Sequence, residues 1–128
     1  MLIGLGHDLQ RVPELAGKGA LLSDGGCFTE MERARIARSR VPAETAAGLF
    51  AAKEAFLKAT PMIRGGFWTD VEIRHTEAGA PSLVLHGPYR ELFERRRWRA
   101  LVSLSHSGDF ASSVVMVVAD SRADGVPT

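Results

Sequence analysis

Phe-Ala-Ala-Lys-Glu-Ala-Phe-Leu-Lys-Ala-Thr at residues 50–60 decides how the rest of the chain is read. Pro42 opens the longer helical pattern around it, in which Leu49, Phe50, Phe56 and Leu57 form an apolar stripe. Ala46, Ala47, Ala51, Ala52 and Ala55 favour the helix and let a neighbouring element approach closely. Glu54 and Lys58 stand four apart and share one helical face. Two readings are open. One is a surface ion pair on an amphipathic helix; the other is a carboxylate for a metal beside a cation for a phosphate. The second needs another carboxylate, and Asp8 offers one.

Toward the N-terminus, Met1 to Leu9 reads as a strand. Alternation sets Gly4, Gly6 and Asp8 on one side and Ile3, Leu5, His7 and Leu9 on the other. The glycines suit close approach by a ligand or tight packing of a helix. Asp8 suits a ligand role or the cap of a following helix, and His7 is expected as a hydrogen-bonded core histidine. Gln10 to Leu22, interrupted by Pro13, Gly17 and Gly19, predicts a short helix and then loop, with a turn at Ser23-Asp-Gly-Gly. Thr29 and Glu32 spell a capping box for a helix through about Ser39. Arg33, Arg35, Arg38 and Arg40 on it form a solvated face or a docking face for an acidic partner.

Toward the C-terminus, Pro61 ends the central helix and Met62 to Phe67 is loop. Trp68–Thr76 and Ser82–His86 predict a hairpin, and Gly87-Pro88 opens a helix from Tyr89 to about Arg96. Arg95, Arg96, Arg97 and Arg99 then surround Trp98 as a basic turn. Leu101–His106 and Ala111–Ala119 predict two more strands. Val114 to Val118 is apolar on both faces, which belongs at the centre of a sheet. The expected architecture is α+β, an antiparallel sheet against a long central helix, with residues 1–120 as one domain and 121–128 as a flexible tail.

The 128 residues are 45% hydrophobic and 24% charged, as in an ordinary globular protein, and can bury a core unaided. A net charge of +1 gives no global argument for nucleic acid. A single cysteine, Cys27, excludes an internal disulfide framework and reads as a small buried residue. No apolar run approaches the roughly 20 residues of a membrane span, and no basic segment precedes an apolar signal core. The expectation is a cytoplasmic protein without a membrane partner.

Asp8, the Glu54–Lys58 pair and Ser103-Leu-Ser-His106 at a strand end are the chemistry-bearing features. Two hard carboxylates completed by water and phosphate oxygens make an ordinary magnesium site. A lysine and a histidine nearby would neutralise further phosphate charge, which suits displacement at phosphorus.

Gly-Leu-Gly-His-Asp-Leu at 4–9, Phe-Thr-Glu-Met-Glu at 28–32, Phe-Ala-Ala-Lys-Glu-Ala-Phe-Leu-Lys-Ala at 50–59 and Ser-Leu-Ser-His at 103–106 carry a resemblance. Together and in this order they resemble the small, single-domain holo-(acyl-carrier-protein) synthase class of 4′-phosphopantetheinyl transferases. The resemblance covers the chain to about Asp120. It implies transfer of the phosphopantetheine arm of coenzyme A to a serine of an apo acyl carrier protein, releasing adenosine 3′,5′-bisphosphate. By matching position, Asp8 and Glu54 would hold Mg²⁺, and Lys58 would steady phosphate charge or help take the serine proton. An ammonium at its reference pKa of roughly 10.4 is a charge stabiliser rather than a base. Ser105 and His106 would contact phosphates of coenzyme A, and Lys53 would add a further contact. The resemblance also implies a homotrimer with active sites at subunit interfaces. Arg11, Arg33, Arg35 and Arg38 are then the candidates for docking an acidic carrier protein.

Two departures stand out. The family usually has an apolar residue where His7 stands, and a glycine-rich turn where this chain has Thr60-Pro-Met-Ile-Arg-Gly-Gly. Pro61 removes an amide, so either Arg64, Gly65 and Gly66 meet the nucleotide phosphate, or coenzyme A binds differently or poorly. The altered loop motivates an alternative, a catalytically inactive module that binds carrier protein or coenzyme A. A magnesium phosphohydrolase is the third option.

Overall fold

The computed structural model describes residues 1–19, 26–61, 63 and 65–120. The expected turn at Ser23 and tail at 121–128 lie outside the described residues. Strand β1 (Leu2–Arg11) leads into a one-turn helix α1 (Val12–Ala16), followed by α2 (Glu30–Arg38) and the long α3 (Pro42–Ala59). A 3₁₀ turn at Trp68–Asp70 precedes the hairpin of β2 (Val71–His75) and β3 (Pro81–Leu85). Helix α4 (Gly87–Arg96), β4 (Trp98–Ser107) and β5 (Phe110–Ala119) complete the order. The strands form two antiparallel sheets, β1-β5-β4 and β2-β3. Apolar on both faces, β5 takes the centre of the larger sheet as its sequence requires.

Helix α3 lies across that sheet because β1 gives it room. A Cβ on Gly4 would collide with the carbonyl of Ala59, and one on Gly6 with that of Ala55. The alanine-rich face of the helix therefore rests on bare main chain, running antiparallel to β1. Of the two uses open to these glycines, helix packing is the one realised. Below the helix, Ala111, Val115 and Val117 of β5 are sealed. Phe56 packs edge-on to Tyr89 at 5.3 Å and beside Phe93 at 5.5 Å, and Trp98 closes against Phe93 at 5.7 Å. Each such ring buried is worth roughly 1.5–3 kcal/mol. The basic turn thus shrinks to Arg97, in the left-handed region at φ 56, and Trp98 already belongs to β4.

The capping box holds as read: the Thr29 hydroxyl accepts from the Glu32 amide while the Glu32 carboxylate accepts from the Thr29 amide at 2.9 Å. Three readings change. The strand expected from Trp68 starts at Val71, because the Asp70 carboxylate accepts from the Phe67 amide at 2.9 Å and winds the preceding residues into a 3₁₀ turn. Helix α4 begins at Gly87 rather than Tyr89. His7 is exposed, not a core histidine, and its Nε2 meets the Ser112 hydroxyl at 2.9 Å on the outer sheet face. That face, away from α3, carries exposed Leu5, Leu9, Leu101, Val114 and Met116. No helix among the described residues is long and apolar enough to cross a membrane.

Candidate active site

Strand alternation and helix position bring the predicted residues together at one end of the β1–α3 seam. Asp8 follows Gly4 and Gly6 on the helix-facing side, and its side chain is only 13% exposed. Lys58 Nζ lies 3.0 Å from Asp8 Oδ1 and donates to the His7 carbonyl at 3.0 Å. The Lys58 ammonium is therefore bound across to the strand. Glu54, one turn earlier, faces the same place. Burial first, and then the Asp8 charge, push its carboxyl up, while Lys58 and Lys18 pull it down. Glu54 feels the charge of Asp8, and the two make a hard-oxygen pair that a divalent cation would relieve. Among the described residues no cluster of three or more His, Cys, Asp or Glu side chains could hold a metal. Further ligands to a cation at this pair would have to be water or substrate oxygens.

His106 reaches the same face from β4. Its Nε2 sits 2.9 Å from the Glu44 carbonyl in the first turn of α3, over Gly48. Ser105, the neighbouring residue, points to the opposite face by the period-two rule, and neither it nor His106, held by the first turns of α3, hydrogen-bonds to Asp8, Glu54 or Lys58. Gly65 takes a positive φ of 82, and Gly66 is needed for packing, since a Cβ there would meet the Tyr89 ring. Arg64 lies outside the described residues.

Lys53 is a correction. Its side chain is fully buried, with Nζ 2.8 Å from Glu32 Oε1, and it donates to the carbonyls of Trp68 and Val71. A cation whose donors are all engaged inside the core cannot meet a substrate phosphate. Helical spacing places it one residue from Glu54 but on the inner face, a distinction the motif alone does not make. Glu32 also accepts from the Ile73 amide at 2.9 Å. The Thr29 hydroxyl donates to buried Glu72 at 2.7 Å, and Arg74 and His86 bind the other Glu72 oxygen, each at 3.0 Å. This network ties α2 and α3 to the hairpin.

Sequence reasoning missed Glu72, Lys18 and the buried role of Glu32. Lys18 Nζ stands 5.8 Å over the Phe50 ring and within the field of Glu54. Its signal was absent because the segment after α1 has no periodicity. Among the docking candidates, Arg11 pairs with Glu14 at 3.3 Å, exposed. Arg33 is turned inward to the Phe28 carbonyl at 2.8 Å, which weakens it as a docking residue. Arg35 and Arg38 border a cavity of about 230 Å³ with Ser39 and Thr45. Cys27 is buried, as its sequence reading expected, and burial chiefly raises its thiol to about 11.

Comparison with known proteins gives the family. The sequence-family model of the 4′-phosphopantetheinyl transferase superfamily matches residues 4–115. The chain is 43% identical over 123 residues to the holo-[acyl-carrier-protein] synthase of Syntrophotalea carbinolica, covering 90% of this chain and 94% of that one. The acyl carrier protein synthase of Mycobacterium tuberculosis superposes with a TM-score of 0.75 at 30% identity, covering 94% of this chain and 100% of that one. A synthase–CoA complex from Chronobacterium ammoniagenes superposes with a TM-score of 0.76 at 28% identity, covering 91% of this chain and 97% of that one. The chain belongs to the 4′-phosphopantetheinyl transferase superfamily, in its small holo-(acyl-carrier-protein) synthase class.

Proposed function

We propose that this enzyme transfers the 4′-phosphopantetheine arm of coenzyme A to a serine of an apo acyl carrier protein and releases adenosine 3′,5′-bisphosphate, with Mg²⁺ required. The carrying observation is the convergence of Asp8, Glu54 and Lys58 from a strand and a helix some fifty residues apart in the chain. In the reaction, the serine oxygen forms a bond to the β-phosphorus of coenzyme A as the bond to the bisphosphate oxygen breaks. The serine proton leaves to solvent or to a base.

Asp8 and Glu54 would hold Mg²⁺, and their mutual repulsion is the feature that fits them to a cation. When bound, the ion supplies Lewis-acid neutralisation of the phosphate oxygens. Lys58 donates every hydrogen bond it makes here, to Asp8 and to the His7 carbonyl. That supports charge stabilisation and orientation of Asp8 rather than proton removal. His106, held through Nε2 on the Glu44 carbonyl, is the imidazole we assign to a phosphate of coenzyme A. Arg11, Arg35 and Arg38 are the cations we assign to an acidic carrier. The exposed outer sheet face of Leu5, Leu9, Val114 and Met116 supports self-association, with a trimer sharing its sites between subunits. A cytoplasmic setting accords with substrates of this kind.

The test is intact-mass spectrometry of an apo carrier protein incubated with the enzyme, coenzyme A and Mg²⁺, with a chelator control. A phosphopantetheine mass gain only with metal supports the reading. No gain on several carriers, despite binding of coenzyme A, would favour the inactive binding module that the Pro61 loop suggests. Phosphate release from simple nucleotides without carrier would favour a phosphohydrolase.

A further inference from the structure

The chain has three lysines, and each lies on or against α3. Lys53 is shut in the core with its donors engaged, and Lys58 is bound to Asp8 and to the His7 carbonyl. Lys18 differs from both. It is exposed, and its Nζ makes no hydrogen bond or ion pair among the described residues. Its main chain is nonetheless anchored, since the Lys18 amide donates to the Leu15 carbonyl at 2.9 Å and Leu15 is sealed in the core. From there the ammonium stands 5.8 Å from the centre of the Phe50 ring. A ring face attracts a cation through its quadrupole and leaves the three N–H donors of the ammonium for oxygen acceptors.

Phe50, Glu54 and Lys58 follow one another at four-residue spacing and share a stripe of α3. Phe50 and Lys58 each lie one turn, roughly 6 Å of rise, from Glu54. Lys18, over the one, and the Lys58 ammonium therefore flank Glu54 from opposite ends. Burial first, and then the Asp8 charge, raise the Glu54 carboxyl, and both lysines oppose them. Of these two cations only Lys58 is hydrogen-bonded to the carboxylate pair.

We infer that Lys18 is a substrate-binding cation of the transfer site, its ammonium meeting the diphosphate of coenzyme A on the side of Glu54 opposite Lys58. The inference rests on the reading of coenzyme A as substrate. The diphosphate is the group in which that reading breaks a bond, and Glu54 is one of the two carboxylates assigned to it. A cation beside Glu54 therefore faces the diphosphate rather than the 3′-phosphate. Lysine suits the task, because a point charge on a flexible stem can leave the ring for a phosphate oxygen without breaking a hydrogen bond.

Lys18→Gln keeps much of the reach of the side chain and removes its charge, and at an exposed position it is expected to melt close to the wild-type temperature. Binding of coenzyme A and of dephospho-coenzyme A would be measured by isothermal titration calorimetry, with Mg²⁺, without carrier and over a salt series. Lys18→Gln is expected to bind both about 10-fold more weakly, with a shallower salt dependence and with KM for carrier unchanged. Lys18→Arg, which keeps the charge, is expected to retain most of the affinity. A loss confined to coenzyme A, with the dephospho form bound as by wild type, would overturn the assignment to the diphosphate. Wild-type affinity for both in Lys18→Gln, whether or not KM for carrier moves, would overturn the role of Lys18 and leave the transferase reading intact. A wild-type protein that binds neither compound would overturn both.

Discussion

Lys53 Nζ lies 2.8 Å from Glu32 Oε1 with both side chains shut away from solvent, while the next residue on the helix, Glu54, faces Asp8. Adjacent residues of one motif thus do opposite work. The inner one locks the helix to α2 and to the hairpin through the carbonyls of Trp68 and Val71. The outer one carries charge to the site.

The buried pair sets the first prediction. Lys53→Met strands the Glu32 carboxylate in the core and is expected to lower stability by about 3–5 kcal/mol. Lys53→Met with Glu32→Gln removes both charges while leaving an acceptor for the amides that Glu32 receives, and should recover part of that loss. Urea unfolding of the single and double variants measures it, and a double variant no better than the single would show that geometry, not the stranded charge, is at fault.

Glu54→Gln keeps the size of the side chain and removes its charge from the pair with Asp8. Transfer is expected to fall by on the order of 10²-fold or more, as when other preorganised charge contacts are removed. Melting temperature should hold or rise, because the raised carboxyl of Glu54 makes its charged form a cost to the fold. Turnover at the wild-type rate would remove Glu54 from the mechanism.

Glu72 predicts a pH dependence of stability. Burial would raise its carboxyl, but hydrogen bonds from Thr29, His86 and Arg74, with the Arg74 charge, outweigh burial and hold it below the ordinary value. The unfolded chain, at roughly 4.3, then binds the proton more readily, so stability rises with pH across that interval. The contribution is present above about pH 4.3 and lost as pH falls through the lower, folded value. Glu72→Gln should be less stable than wild type near neutrality and lose less on acidification, as read from urea midpoints across an acid series.

Gly48→Ala places a Cβ 2.8 Å from His106 Nε2. The ring is the movable partner, so the fold should survive while His106 leaves the Glu44 carbonyl. The expected result is a rise of about 10-fold in KM for coenzyme A, the worth of one charge-assisted hydrogen bond, with KM for carrier unchanged. Equal effects on both constants would point to general disorder of the site.

Leu5→Lys, on the outer face of β1, probes assembly. With exposed Leu9, Val114 and Met116 beside it, a charge there should turn a trimer into monomers by light scattering and cost transfer activity with it. A variant still trimeric would exclude this face as the contact.

The elements were legible where local rules dominate. The capping box at Thr29, Pro42 at the head of α3, the apolar run in β5 and the glycine side of β1 each state their own outcome. Asp8, Glu54 and Lys58 were legible because the motif and the strand period agree. The rest depended on tertiary facts. Lys53 looks like its neighbour Lys58 until the helix rotation is known, and Ser105 looks like a companion of His106 until the sheet face is known. Glu72 sits in an alternating strand at a position that solvent would normally take, and only the packing of α2 against the hairpin buries it.

Gly4 and Gly6 place no side chain between β1 and α3, so main chain rests on main chain along the seam that ends at Asp8 and Lys58. The spacing of the candidate site is consequently inherited from peptide geometry rather than from side-chain volume. The same seam leaves Gly4 and Gly6 no room for a side chain, since one added methyl group on either would push the helix, and Glu54 with it, off its counterpart.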